Sequence, residues 1–192
     1  MDKPISSWRR HFLATSALSS LVTASTPVQA VPPQGRRVLV AYFSRSGNTC
    51  VIAGQIQRAY KATLFEIEPA KAYPAEYSAT VAQAHRERDS EYHPPLKAML
   101  PNINEYKTIY LGFPIWGGSV PPIIRAFLAE HDLKDVTVIP FITHGGYGIG
   151  NSLTALAKHA PGAKMGNNCL VMQADQERQT VERVTKWLAA LS

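Results

Sequence analysis

Ser44, Arg45, Ser46, Gly47, Asn48 and Thr49 pack three hydroxyls, an amide, a guanidinium and a side-chain-free backbone position into one short run. That set suits an oxyanion such as phosphate, because every group can donate a hydrogen bond and none carries negative charge. The run follows an uninterrupted apolar segment, Val38 to Phe43, and precedes Val51, Ile52, Ile56 and Tyr60 at roughly helical spacing. A buried strand feeding a turn and then a helix start leaves unpaired N–H groups at the positive end of the helix dipole. Each charge-assisted hydrogen bond there is worth about 1.5–3 kcal/mol. The same residue types also make ordinary turns and N-caps. No Gly-Lys-Ser/Thr follows, which excludes a Walker A loop, and no Gly-x-Gly-x-x-Gly marks a dinucleotide fold.

Two further loops carry similar chemistry. Pro114, Ile115, Trp116, Gly117 and Gly118 follow the apolar run Thr108 to Phe113. Thr143, His144, Gly145, Gly146, Tyr147 and Gly148 follow Val136 to Ile142, and the stretch continues to Asn151. The periodicity predicts strands also at 63–68 and 169–172, and helices near 78–88, from Pro121–Pro122 through Leu128, at 152–159 and at 176–191. Strands alternating with helices imply a parallel sheet covered on both faces. In such a sheet ligands sit beyond the carboxyl ends of the strands, where all three loops belong. Residues 70–99 are polar, and Pro94–Pro95 breaks any regular element within them. Met165, Met172 and Trp187 read as packing residues.

The whole chain has 192 residues, 45% hydrophobic and 18% charged, which is one domain with a proper core. The net charge is +6 without a basic run, so nothing points to nucleic acid. The first residues read differently from the rest. Arg9-Arg10 precedes a short, modestly apolar stretch from Ala14 to Ser25, and Val28-Gln29-Ala30 supplies small residues for a signal peptidase. That order resembles a twin-arginine export signal over residues 1–30, with a linker at 31–36 and the folded domain at 37–192. Its apolar part is too short and weak for a membrane span, and export implies the periplasm. Cys50 and Cys169 lack any Cys-x-x-Cys spacing and are expected to be unpaired thiols.

Tyr42-Phe43-Ser44-Arg45-Ser46-Gly47-Asn48-Thr49, Glu66-Ile67-Glu68-Pro69-Ala70 with Tyr73-Pro74, Leu111 to Gly117 and Phe141 to Gly146 together resemble the flavodoxin family. The likeness covers essentially all of residues 37–173. It implies a doubly wound α/β fold with a five-stranded parallel sheet of order 2-1-3-4-5, and bound FMN. The resemblance assigns the FMN phosphate to Ser44 through Thr49 and the isoalloxazine to Pro114 through Gly118. It makes Thr143 through Gly148 the third flavin-side loop, with His144 as the candidate proton donor. Trp116 offers a flat face to the ring or a core aromatic behind the loop. His144 equally suits a hydrogen-bonding or surface role, and Tyr147 either stacks on the ring or caps its loop.

Two departures stand out. Flavodoxins that carry electrons are acidic, whereas this chain is basic, which puts ordinary steering toward a basic partner in doubt. Residues 70–99 lack a clear counterpart and are expected to form a distinct wall, where Tyr73, Tyr77, His85, Tyr92 and His93 either touch a substrate or lie on the surface. The resulting expectation is an exported FMN-binding redox protein passing electrons between partner proteins. Reduction of quinones or similar small acceptors is the alternative, and a non-redox ligand-binding module on the same fold is the third reading. No metal is expected.

Overall fold

The computed structural model describes residues 37–173 and 177–191. The expected signal segment and linker therefore lie outside the described residues. The first strand, β1 (Arg37–Tyr42), carries Leu39 and Ala41 to one face of the sheet and Val38, Val40 and Tyr42 to the other. That is why its sequence is continuously apolar rather than alternating. Helix α1 (Asn48–Tyr60) lays Ile52, Ala53, Ile56 and Tyr60 on the second of these faces and leaves Val51 at its surface. Lys61 ends it in a left-handed conformation. Strand β2 (Thr63–Glu66) is mostly exposed, as befits the sheet edge, and stops two residues earlier than its sequence suggests.

Helix α2 (Tyr77–Asp89) follows, and a short 3-10 turn (Ile103–Glu105) leads into β3 (Tyr106–Pro114). Helix α3 (Pro122–Glu130) begins with proline where no N–H partner is needed. Its Ile123, Ile124 and Phe127 are fully buried on the Leu39 face together with Leu156 of α4 (Ser152–His159). Strand β4 (Thr137–His144) lies next to β3, and α5 (Glu177–Ala189) returns to the opposite face, where Val184 and Leu188 join the α1 side chains. Trp187, Met165 and Met172 all pack against these two cores.

All pairings within the sheet are parallel, in the order β2-β1-β3-β4 followed by the fifth position. The order matches 2-1-3-4-5, but the fifth position holds two segments rather than one. Strand β5 (Lys164–Met165) pairs with the start of β4, and β6 (Leu170–Gln173) pairs with its end. Gly166 donates to the Val138 carbonyl at 2.8 Å before the chain leaves the ladder. No helix among the described residues is long and apolar enough to cross a membrane.

Candidate functional site

The loop between β1 and α1 enters its helix without a side-chain cap: Gly47 holds the cap position at φ 90°, a left-handed conformation that favours glycine. The N–H groups of Asn48, Thr49 and Cys50 thus begin the helix with no intrahelical acceptor. A Cβ at Gly47 would meet nothing within 4 Å, so the space above this helix start is open. Within the loop, Ser44 Oγ accepts from the Gly47 N–H at 3.1 Å, and Asn48 Nδ2 donates to Ser46 Oγ at 3.3 Å. These bonds hold the loop in shape. Thr49 behaves differently from its neighbours: it is buried and its hydroxyl pairs with that of Thr143 at 2.9 Å, tying α1 to the end of β4.

The loops after β3 and β4 are bound to each other. Ile115 N–H donates to the Thr143 carbonyl at 2.8 Å, and Asn151 N–H to the Gly118 carbonyl at 3.0 Å. Gly150 must be glycine here: a Cβ would come within 2.0 Å of the Gly118 oxygen, and its φ is +52°. Trp116 closes a tight turn by exchanging backbone hydrogen bonds with Ser119 at 3.0 and 3.1 Å. Its ring is braced edge-on by Phe43, centroids 5.2 Å apart, and by Tyr73 at 4.8 Å. Tyr73 is itself fixed by a 2.8 Å hydrogen bond from its hydroxyl to Glu87, and burial raises its phenol well above the ordinary tyrosine range. Trp116 is thus packed against the core and also lines a cleft.

In His144, Nδ1 accepts from the N–H groups of Gly146 and Gly148 at 3.1 and 3.3 Å. The neutral ring therefore carries its proton on Nε2, and the imidazole shapes its own loop. Tyr147 stands 97% exposed away from the cleft. It neither stacks over the cleft nor covers the loop in this conformation.

A cleft of ≈ 240 Å³ opens where these loops converge. Arg45, Ser46 and Asn48 reach it from the first loop, Pro114 through Gly117 from the second, and Thr143 through Gly145 from the third. Ser44, Gly47, Thr49, Gly118, Gly146, Tyr147 and Gly148 do not line it. The opposite wall is α2. Tyr77, Thr80, Val81, Ala84, His85 and Arg88 face inward at helical spacing, a stripe whose full extent the sequence reading missed. That 77-80/81-84/85-88 periodicity was the available signal. Tyr92 lies exposed, and His93 meets His159 edge-on with ring centroids 6.2 Å apart, so neither joins the cleft.

The wall is latched at two points. Arg45 donates to the Ala75 carbonyl at 2.6 Å and lies over the Tyr77 ring at 5.9 Å. Arg88 reaches the Gly117 carbonyl at 3.4 Å and His85 Nδ1 at 2.7 Å. Glu76 starts the helix by accepting from Ser78 and Ala79 N–H, and its bond from the Ser78 hydroxyl holds the carboxyl down to about 2. Among the described residues no carboxylate lines the cleft, whereas two arginines and two histidines do.

This open sheet, with its ligand-facing loops at the strand ends, defines a flavodoxin-like protein. The flavodoxin family model matches residues 37–191, and the chain belongs to that family. A candidate flavoprotein from Bacteroides uniformis is 33% identical with a TM-score of 0.68, covering 79% of this chain and 99% of its own. One from Bacteroides eggerthii is 32% identical with a TM-score of 0.69, covering 80% and 96%. A flavoprotein from Lactobacillus acidophilus, solved in complex with FMN, shares the fold at 23% identity and a TM-score of 0.64, covering 79% and 98%. No curated protein matches the chain.

Proposed function

We propose that this chain is an exported FMN-binding redox protein. The observation that carries the reading is the uncapped start of α1 at Gly47, open to solvent and adjoining a cleft with a braced tryptophan. The residues present fit the cofactor. A single phosphate matches one helix start with free N–H donors, where Ser44, Arg45, Ser46, Asn48 and Thr49 surround it; Thr49 would contribute its backbone, since its hydroxyl is engaged. Trp116, Pro114, Ile115 and the side-chain-free backbone at Gly117 and Gly118 suit a flat, polarisable ring, and Thr143 through Gly145 border its other edge. Membership of the flavodoxin family and the FMN-bound relative support this assignment. When bound, FMN supplies the electron chemistry; the chain anchors the phosphate, orients the ring and limits water.

Two uses of such a flavin compete. Passing electrons between partner proteins needs an accessible ring edge, whereas reducing a small acceptor needs a bounded space beside it. The α2 wall favours the second, since it encloses the cleft with side chains and, among the described residues, presents no acidic rim. Export through the twin-arginine route accords with the Arg9-Arg10 signal, because that route carries folded proteins and allows cofactor loading beforehand. In the periplasm free nicotinamide nucleotides are scarce, so the electrons are expected from a protein or quinol donor. Fluorescence titration of flavin-free protein tests the cofactor: FMN should bind far more tightly than riboflavin, which lacks the phosphate. Equal affinities would remove the phosphate site. Continued export through the general pathway when the twin-arginine translocase is blocked would contradict the route.

A further inference from the structure

We propose that residues 90–101 form a proton-operated strap, which His93, His131 and His159 hold against α3 and α4 only while their rings are neutral. Ser90 through Pro101 contain no helix or strand beyond a single bridge from Leu96 to Pro69. The segment continues directly from α2, and Tyr92 N–H donates to the Glu87 carbonyl at 2.8 Å. Leu96 and Leu100 pack on the core that holds α3, whose residues are buried from Pro122 through Leu128. Three of the chain's six histidines meet this segment at its two ends, outside the cleft.

The hydrogen bonds of His131 settle its charge. A carbonyl only accepts, so the 2.8 Å contact with the Phe127 oxygen places a proton on Nδ1. Leu100 N–H donates to Nε2 at 3.2 Å, which requires a bare nitrogen there. A second proton would set N–H against N–H and release the strap at Leu100. Glu130 and Asp132 flank His131 in the chain, yet among the described residues no carboxylate pairs with any of the three imidazoles. At the other end His93 meets His159 edge-on, and two protonated rings there would repel. Burial, then Arg125 of α3, Lys158 and His93 hold His159 below the ordinary histidine value of 6.5, against the opposing charge of Glu91. Arg125 is buried with Nε and Nη2 lacking partners, and Arg88 reinforces its field while Glu87 opposes it. A lowered folded-state value means that this stabilisation is present above 6.5 and is lost as pH falls beneath it. Acid therefore frees both ends. The backbone bonds from Ala70 N–H to Pro95 and from Lys97 N–H to Glu68 carry no titrating group, so they tether the middle.

Hydrogen exchange of the full chain, read by mass spectrometry at pH 7.5 and 5 and corrected for intrinsic rates, tests the strap. Protection of peptides spanning 86–101 should fall about tenfold or more at pH 5, because one histidine kept neutral only in the closed state supplies that factor. Peptides of β1, β3 and β4 should keep their protection. The double variant His131→Gln/His159→Gln, which cannot take up these protons, should protect the strap equally at both pH values. Equal strap protection of the native chain at both values overturns the proposal. So does an unchanged pH response in the double variant, or a loss of protection that spreads to the sheet. Should the double variant fail to fold, NMR of the His159 ring decides, in the native chain and in Lys158→Met, whose site is exposed. A native midpoint below 6.5 that rises in Lys158→Met supports the strap. A midpoint at 6.5 or above, or one that Lys158→Met leaves unmoved, overturns it.

Discussion

Two glycines of the site differ in what they protect. A Cβ at Gly117 would clash only with the end of Arg88, at 2.2 Å, which can swing aside. Gly117→Ala should therefore lose about 1–2 kcal/mol, the cost of a side chain at positive φ, and free Arg88 from its carbonyl. At Gly150 the obstacle is the Gly118 backbone oxygen, which cannot move without separating two loops. Gly150→Ala should lose more, about 2–4 kcal/mol. Urea midpoints of the two variants decide the ranking, and an equal loss would contradict it. The cysteines, both free, divide the same way. Burial pushes the Cys169 thiol up to about 12, while Cys50 is exposed. Iodoacetamide near pH 8 should alkylate Cys50 alone, as peptide mass analysis would show; modification of both would mean Cys169 is accessible.

At the scale of elements, α2 is the part that sequence reading saw least. Its helical span was legible from 78–88, and residues 70–99 were expected to form a wall, but only Tyr77 and His85 of the cleft-facing stripe were named in advance. Tyr73 read as either a substrate contact or a surface residue, not as a brace, because its contact with Trp116 spans more than forty residues of chain, a distance that local periodicity does not report. The helix depends on its cap. Glu76 has its carboxyl lowered from 4.5 to about 2, first by the Ser78 hydroxyl and then by backbone N–H groups. A depressed folded-state value means that its stabilisation is present above the ordinary carboxylate pKa and disappears as pH falls from 4.5 toward about 2. Glu76→Gln should weaken the protein at pH 7 and narrow its gap to the native chain across that window. A gap that stays constant from pH 6 to 2 would show that the charge of the capping carboxylate contributes nothing. Arg45 latches the other end of the wall, and Arg45→Ala should raise the FMN dissociation constant about tenfold or more, since it also leaves the phosphate loop. Unchanged affinity would confine Arg45 to holding α2.

For the molecule as a whole, the sheet was legible because β1, β3 and β4 are buried on both faces and so read as unbroken apolar runs. Their order came through the resemblance of the loops that follow them. The doubled edge was not legible: β5 is two residues long, and Gly166 interrupts the run where its Cβ would crowd Ile139 at 2.9 Å. Likewise, the three loops were expected at the strand ends and do lie side by side, yet only tertiary contacts show that Thr49 turns inward and Tyr147 outward. If FMN binds the folded chain alone, saturating it at a hundred times its dissociation constant should stabilise the protein by about 2.7 kcal/mol. The most direct test is the visible spectrum of the natively purified protein, with the released cofactor identified by chromatography. A flavin spectrum and FMN in the supernatant are the result expected here; a colourless protein that also fails to bind added FMN would contradict the account at its centre.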